Sequence, residues 1–240
     1  MAKKEKNDKS NKIRGRFKTF LYVFILVFSV TLLVLEGFIF YQRVYLSPFW
    51  VNGQSMYPYL NENAVDANGN KIGKTGSSAL EGYVVEYGVM DKHKSAINKI
   101  KRFDIIVTKY TTSDSDLEKD KIKRVIGLPG ETIKFTVTGV KHEHNGDLYV
   151  NGEYVAQPVD TSYIVEGDYS YYPQITLKED EYFVLGDNRG NSSDSATHGP
   201  IKKAYITGKA VAIVGTATVY KKGKDYNVKD VKYHWPRYLK

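Results

Sequence analysis

The 240-residue chain is 42% hydrophobic and 26% charged, with 20 tyrosines and no cysteine. That is the composition of a globular protein rich in strands, and it excludes disulfide staples, a Cys-ligated zinc and any thiol nucleophile. The formal net charge is +8, but residues 1–18 carry eight basic side chains against Glu5 and Asp8, so +6 of it sits there and +2 is left for the rest; no basic domain remains to grip a phosphate backbone, and no nucleic-acid partner is expected.

The first element follows that basic stretch. Thr19 to Leu35 is a run of 17 residues without a charge, dominated by Phe, Val, Leu and Ile. As a helix it spans about 26 Å. Glu36 interrupts it, near an interface where a carboxylate snorkels out, and Gly37 to Tyr41 continues the apolar character. The pattern predicts one transmembrane helix over 17–41. A cleaved leader has a shorter apolar region, of about 7–15 residues, and a small-x-small site after it, which is not seen here. Lysine and arginine crowd the flank before the helix, while Arg43 alone follows it before residue 54. The positive-inside rule therefore makes 1–16 a cytoplasmic basic tail and puts 42–240 outside the membrane, with the lipid bilayer as a partner.

The exterior part reads as β. Ile105–Val107, Ile133–Val137, Leu148–Val150, Tyr182–Leu185 and Ala210–Val214 are short strand-like runs, and Asn145-Gly146 and Asn151-Gly152 punctuate them as turns. A long helix is hard to place after residue 45. Residues 66–82 and 111–120 read as exposed loops. The tail 221–240 is basic and poorly patterned, and no internal repeat is visible. Phe49 and Trp50 suit a membrane interface, the plainer alternative being a core aromatic pair.

Hydrolytic chemistry without cysteine needs another nucleophile, and a serine hydroxyl needs a base. The five histidines, His93, His142, His144, His198 and His234, fall in no catalytic motif, and there is no Gly-x-Ser-x-Gly elbow. His142 and His144 would share a strand face as half a metal site, but no third ligand accompanies them, so no metal or other cofactor is expected. A lysine serves as base if burial keeps its amine neutral. Lys123 lies among Ile122, Val125, Ile126 and Leu128, before Pro129-Gly130. Taken singly, any of the chain's lysines reads as a solvated side chain.

Four segments change that reading together. Gly53-Gln54-Ser55-Met56-Tyr57-Pro58, Arg102-Phe103-Asp104-Ile105-Ile106-Val107, Lys123-Arg124-Val125-Ile126-Gly127-Leu128-Pro129-Gly130-Glu131 and Gly186-Asp187-Asn188-Arg189-Gly190-Asn191-Ser192-Ser193-Asp194-Ser195 stand in this order after the apolar run. In content and order they resemble the boxes of the bacterial type I signal peptidases, over the anchor and roughly residues 50–215. The resemblance implies a mostly β fold: an antiparallel β-sheet catalytic core of the signal-peptidase or LexA-like kind over 42–220, with a smaller inserted β region at about 139–180. It implies a membrane-bound serine endopeptidase that removes signal peptides from exported preproteins after Ala-x-Ala, through an acyl-enzyme. Ser55 is then the nucleophile and Lys123 the general base. Ser192 matches the serine that hydrogen-bonds the lysine amine. Arg124, Asp187, Arg189 and Asp194 match ion-pairing positions, Arg124 with Asp187. The oxyanion hole takes the Ser55 backbone N–H, and Gly53 stands where some members add a serine hydroxyl. Val51, Met56, Leu60 and Ile122 match residues lining shallow substrate pockets.

The chain departs from that pattern at Lys121 and Ala196, where Tyr and Arg are usual, and at Phe103, where Gly is common. Arg189 is the expected substitute partner for Asp194. Two rivals remain. A self-cleaving repressor is disfavoured by the apolar run and by the absence of a helix-turn-helix segment. A non-catalytic membrane-anchored β module of envelope or pilus assembly is disfavoured by the presence of both Ser55 and Lys123.

Overall fold

The computed structural model describes residues 2–76, 79–109, 120–136, 146–159, 174–223 and 225–239, with side chains from residue 14 onward. It divides into two units, 1–46 and 47–240.

The first unit is one helix, α1 (Ala2–Tyr45). Its apolar candidate span, Arg14–Tyr45, is long enough to cross a membrane and is not buried. A lipid-facing helix must satisfy its polar groups internally. Thr31 does so by donating to Val27 O at 2.8 Å, as Thr19 does to Gly15 O at 3.1 Å. Phe20, Phe24 and Phe28 stack at i, i+4 spacing along one face.

The second unit is built from strands. In chain order they are β1 (Leu46–Trp50), β2 (Val84–Asp91), β3 (Ile105–Lys109), β4 (Asp120–Gly127), β5 (Thr132–Phe135), β6 (Leu148–Val150), β7 (Glu153–Val155), β8 (Gln174–Thr176), β9 (Glu181–Leu185), β10 (Ile201–Lys202), β11 (Ile206–Lys222) and β12 (Asp225–Tyr238). Two short helices, α2 (Lys94–Asn98) and α3 (Ser195–His198), sit between them. The main sheet runs β1-β2-β11-β3-β4-β9-β10, and a second sheet runs β7-β6-β5-β8. The pairs β2–β11, β3–β11, β3–β4, β4–β9, β9–β10 and β11–β12 of the main sheet, and β5–β6, β5–β8 and β6–β7 of the second, are antiparallel.

β11 organises the main sheet. Its 17 residues pair with β2 on one edge, and with β3 and then β12 on the other. The segment 225–238 is therefore a paired strand rather than an unpatterned tail. Most of β12 is exposed on both faces, so it shows none of the alternation by which a strand is recognised. Its register slips where Ile213 pairs with Arg237 but Gly215 with Tyr233. β12 thus spends four residues where β11 spends two, and the bulge pushes out Trp235, which is 93% exposed. Gly215 is required at this crossing, since a Cβ there would strike the Lys232 carbonyl.

Three apolar clusters position the site. Ile126, Ile133, Phe135, Leu148, Leu177, Phe183 and Leu185 join the two sheets. Val125 and Ile106, from the other face of β4 and β3, pack with Tyr182, Val184 and Ile201. Val51, Met56, Leu60, Ile105, Ala210 and Ile213 form the floor beneath residues 51–61. Phe49 packs on this floor, and Trp50 on the neighbouring cluster of Ala64, Ala79, Val85 and Val219. Both aromatics are partly buried against these clusters.

Candidate active site

Lys123 comes from the middle of β4, opposite Ile106 of β3. Alternation along the strand sends Arg124 to the other face. Lys123 is 3% exposed. Its Nζ donates to Ile122 O at 3.0 Å and lies 2.9 Å from Ser55 Oγ. A charged ammonium donates to that oxygen; a neutral amine accepts from the Ser55 hydroxyl. Burial pulls the lysine pKa from the usual 10.5 down to about 8, against the pull of Asp194 and Asp187 and with help from the Lys121 charge. Lys121, a departure from the family pattern, therefore favours the neutral amine.

Ser55 sits in a stretch without strand structure that is tied down by side chains. Asn61, fully buried at φ +61°, donates through Nδ2 to Val51 O (2.7 Å) and Gly53 O (3.2 Å), and accepts from Glu86 N at 2.9 Å. Its own N–H donates to Glu86 Oε2. From the far end of the chain, Asn188 N donates to Ser55 O at 3.0 Å, and Asn188 Nδ2 donates to Gln54 O and Lys74 O. Gly186 lies so close that a Cβ would collide with both Ser55 O and Ser192 Oγ. Asn188 lies inside the fourth sequence box, and Asn61 carries no local signal in the sequence.

Arg124 and Asp187 form a two-pronged pair, Nε to Oδ1 at 2.7 Å and Nη2 to Oδ2 at 2.6 Å, with both side chains 1% exposed. A buried charge pair of this kind is costly to break, unlike an exposed one. Arg124 also donates to Phe103 O and lies over the Tyr59 ring, 4.5 Å from its centre. Phe103 has φ +70°, the left-handed region that explains why glycine is common at this position.

Asp194 acts as a cap: its carboxylate accepts from Gly186 N (2.8 Å) and Ala196 N (3.1 Å). Arg189 donates to Gly186 O and to Gln157 Oε1. Ser192 Oγ is buried without a hydrogen-bond partner among the described residues, because Lys123 turns its amine to Ser55 and Ile122. Val51, Met56 and Leu60 are buried at 0–1% exposure in the cluster beneath the serine segment, with Ile122 packed beside them. His142 and His144 lie outside the described residues; among those described, no cluster of three or more His, Asp or Glu fits a metal. A cavity of about 650 Å³ opens beside Tyr57, Tyr59, Asp187 and Arg237; Ser55 and Lys123 are not among its lining residues.

A buried lysine amine against a serine hydroxyl, on a β scaffold, invites comparison with known peptidases. The family described as signal peptidase, peptidase S26, matches residues 19–215. The chain belongs to this family. It is accordingly a peptidase, a hydrolase, and the removal of signal peptides is the activity its family name carries. The match takes in the apolar stretch of α1, which fits a membrane-anchored protein, and all four sequence boxes, and it stops before β12. Signal peptidase I V of Bacillus subtilis (strain 168) is 38% identical over 131 residues, 50% of this chain and 70% of that one. Signal peptidase I of Leptolyngbya laminosa is 38% identical over 128 residues, 51% of this chain and 57% of that one. Signal peptidase I P of Bacillus subtilis subsp. natto is 30% identical over 204 residues, covering 81% and 84%. Among solved structures, a signal peptidase I from Enterococcus faecalis V583 matches with 31% identity and a TM-score of 0.35, over 46% of this chain and 96% of that one.

Proposed function

We propose that the protein is a membrane-bound serine endopeptidase that releases exported preproteins from their signal peptides, cleaving after Ala-x-Ala with Ser55 and Lys123 as its catalytic pair. The observation that carries this reading is the 2.9 Å approach of the buried Lys123 amine to Ser55 Oγ. With a pKa near 8, about a tenth of the lysine is neutral at pH 7, which is enough to act as base. Ser55 Oγ attacks the scissile carbonyl carbon as its proton passes to Lys123 Nζ. The tetrahedral intermediate is stabilised by the Ser55 backbone N–H. It collapses as the ammonium returns the proton to the leaving amine, so the mature protein departs and the signal peptide stays as an ester on Ser55. Water, deprotonated by Lys123, then hydrolyses that ester. Ser192, with its hydroxyl otherwise unbonded, orients the amine between the two halves. The substrate lies extended against a strand edge. The N-terminus is cytoplasmic and residues 42–240 are extracytoplasmic, at the membrane that preproteins cross.

The test is cleavage of an Ala-x-Ala preprotein in detergent by the wild type, Ser55→Ala and Lys123→Ala. Cleavage after the second Ala by the wild type, with each variant slower by roughly 10²–10⁴-fold or more, is expected. A wild-type rate for folded Lys123→Ala would remove the lysine from the mechanism.

A further inference from the structure

Asn61 ties the serine segment to Glu86, whose backbone is set by its place in β2 and whose carboxylate is held by a residue from β12. Arg237 Nη2 donates to Glu86 Oε1 at 2.6 Å, and Nη1 donates to Tyr59 O at 3.1 Å. Its guanidinium also lies 5.6 Å from the centre of the Tyr59 ring, the ring that Arg124 approaches at 4.5 Å. The other Glu86 oxygen accepts from Asn61 N, and Asn61 reaches Val51 O and Gly53 O. An unbroken chain of bonds therefore runs from Arg237 through Glu86 and Asn61 to the two residues that lead into Ser55. The bulge at 233–237 is what re-aims the strand for this contact, and Leu239 then joins the floor beneath Met56 and Leu60. Arg237, the bulge and Leu239 lie beyond the family match, which ends at residue 215, while the residues they brace lie within it.

We propose that Arg237 is a positioning residue for the nucleophile segment, and that the C-terminal strand β12 exists in this chain to deliver it. The role for catalysis rests on the function proposed above; the bracing of residues 51–61 does not. A lysine at 237 meets Glu86 as a point charge but cannot stack flat on Tyr59 while also reaching its carbonyl.

The experiment uses the full chain in detergent, as wild type, Arg237→Gln, Arg237→Lys and, as a charge-matched control on the same strand, Lys229→Gln. Amide hydrogen exchange is followed across 51–61 and across the β11–β12 hairpin, and kcat and KM are measured on an Ala-x-Ala preprotein. Arg237→Gln is expected to speed exchange at Leu60 and Asn61 by about tenfold while the hairpin stays protected. The same variant is expected to lower kcat about tenfold with KM within about twofold, Arg237→Lys falling between it and the wild type. Lys229→Gln should match the wild type in both. Unchanged exchange at Leu60 and Asn61 in Arg237→Gln would overturn the proposal. So would equal acceleration through the whole hairpin, which would make Arg237 a general fold contact. Faster exchange with an undiminished kcat would overturn the positioning role. A wild type that cleaves nothing would instead count against the proposed activity, and the exchange data would still decide the brace.

Discussion

The two members of the Ser55/Lys123 pair are held by different physics. Lys123 is one residue of a central strand, with ladder partners in β3 and buried apolar neighbours on β4. Ser55 lies in a segment without ladder bonds, pinned by Asn61, Asn188 and, at one remove, Arg237. A strand position is over-determined: its geometry survives loss of any one contact, and what can change is the free energy of burying a charge there. A segment held by a few long-range side-chain bonds keeps its shape only while each of them lasts. The lysine side should therefore answer to mutation in stability and pH, and the serine side in rate.

The largest effect should come from the ion pair that anchors β4 to the C-terminal box. Asp187→Asn leaves the Arg124 guanidinium buried without its counter-charge and should cost about 3–5 kcal/mol in urea unfolding. Because Asp187 also raises the Lys123 pKa, its loss should move the rise of activity with pH to lower values. Lys123→Met is the next in size and opposite in sign. The folded pKa of Lys123, about 8, lies below the usual 10.5, so the unfolded chain holds more protons between those values. The penalty of about 3 kcal/mol is thus present in full below pH 8 and fades as pH rises to 10.5. Lys123→Met should be the more stable protein at pH 7 by up to that amount, and the advantage should shrink through pH 8–10.5 in parallel unfolding curves. Asn61→Ala should cost least in stability, about 2 kcal/mol for the buried groups it orphans. It should nonetheless lower kcat more per unit of stability lost than Asp187→Asn does. If Asn61→Ala kept the wild-type kcat, the contrast between the two sides would collapse.

How far the sequence reveals this arrangement follows the same division. β3, β6, β9 and the middle of β11 are legible because β-branched and aromatic residues concentrate where strands are buried. The boxes with Ser55 and Lys123 are legible by resemblance. β12 is not, since a strand exposed on both faces carries no apolar period, and its lysines read as a solvated tail. Nor is the bracing of the serine legible: Asn61 and Glu86 are 25 residues apart, and Glu86 and Arg237 are 151 apart. Contacts of that range are set by the fold, and each residue alone looks like an ordinary surface polar group. The burial of Val51, Met56 and Leu60 is a similar case, since an apolar residue beside a nucleophile reads equally as pocket wall or as floor.

The long strand that closes the hairpin has a bearing on how the protein behaves in company. Among the described strands β12 pairs with β11 alone, and so offers its other edge to solvent. An open edge of 14 residues is a template on which a second molecule can add a strand. Here the edge carries Lys229 and Lys232, is broken by a bulge, and holds Pro236, which has no N–H to offer. Like charge and a discontinuous row of donors work against strand addition between neighbouring copies.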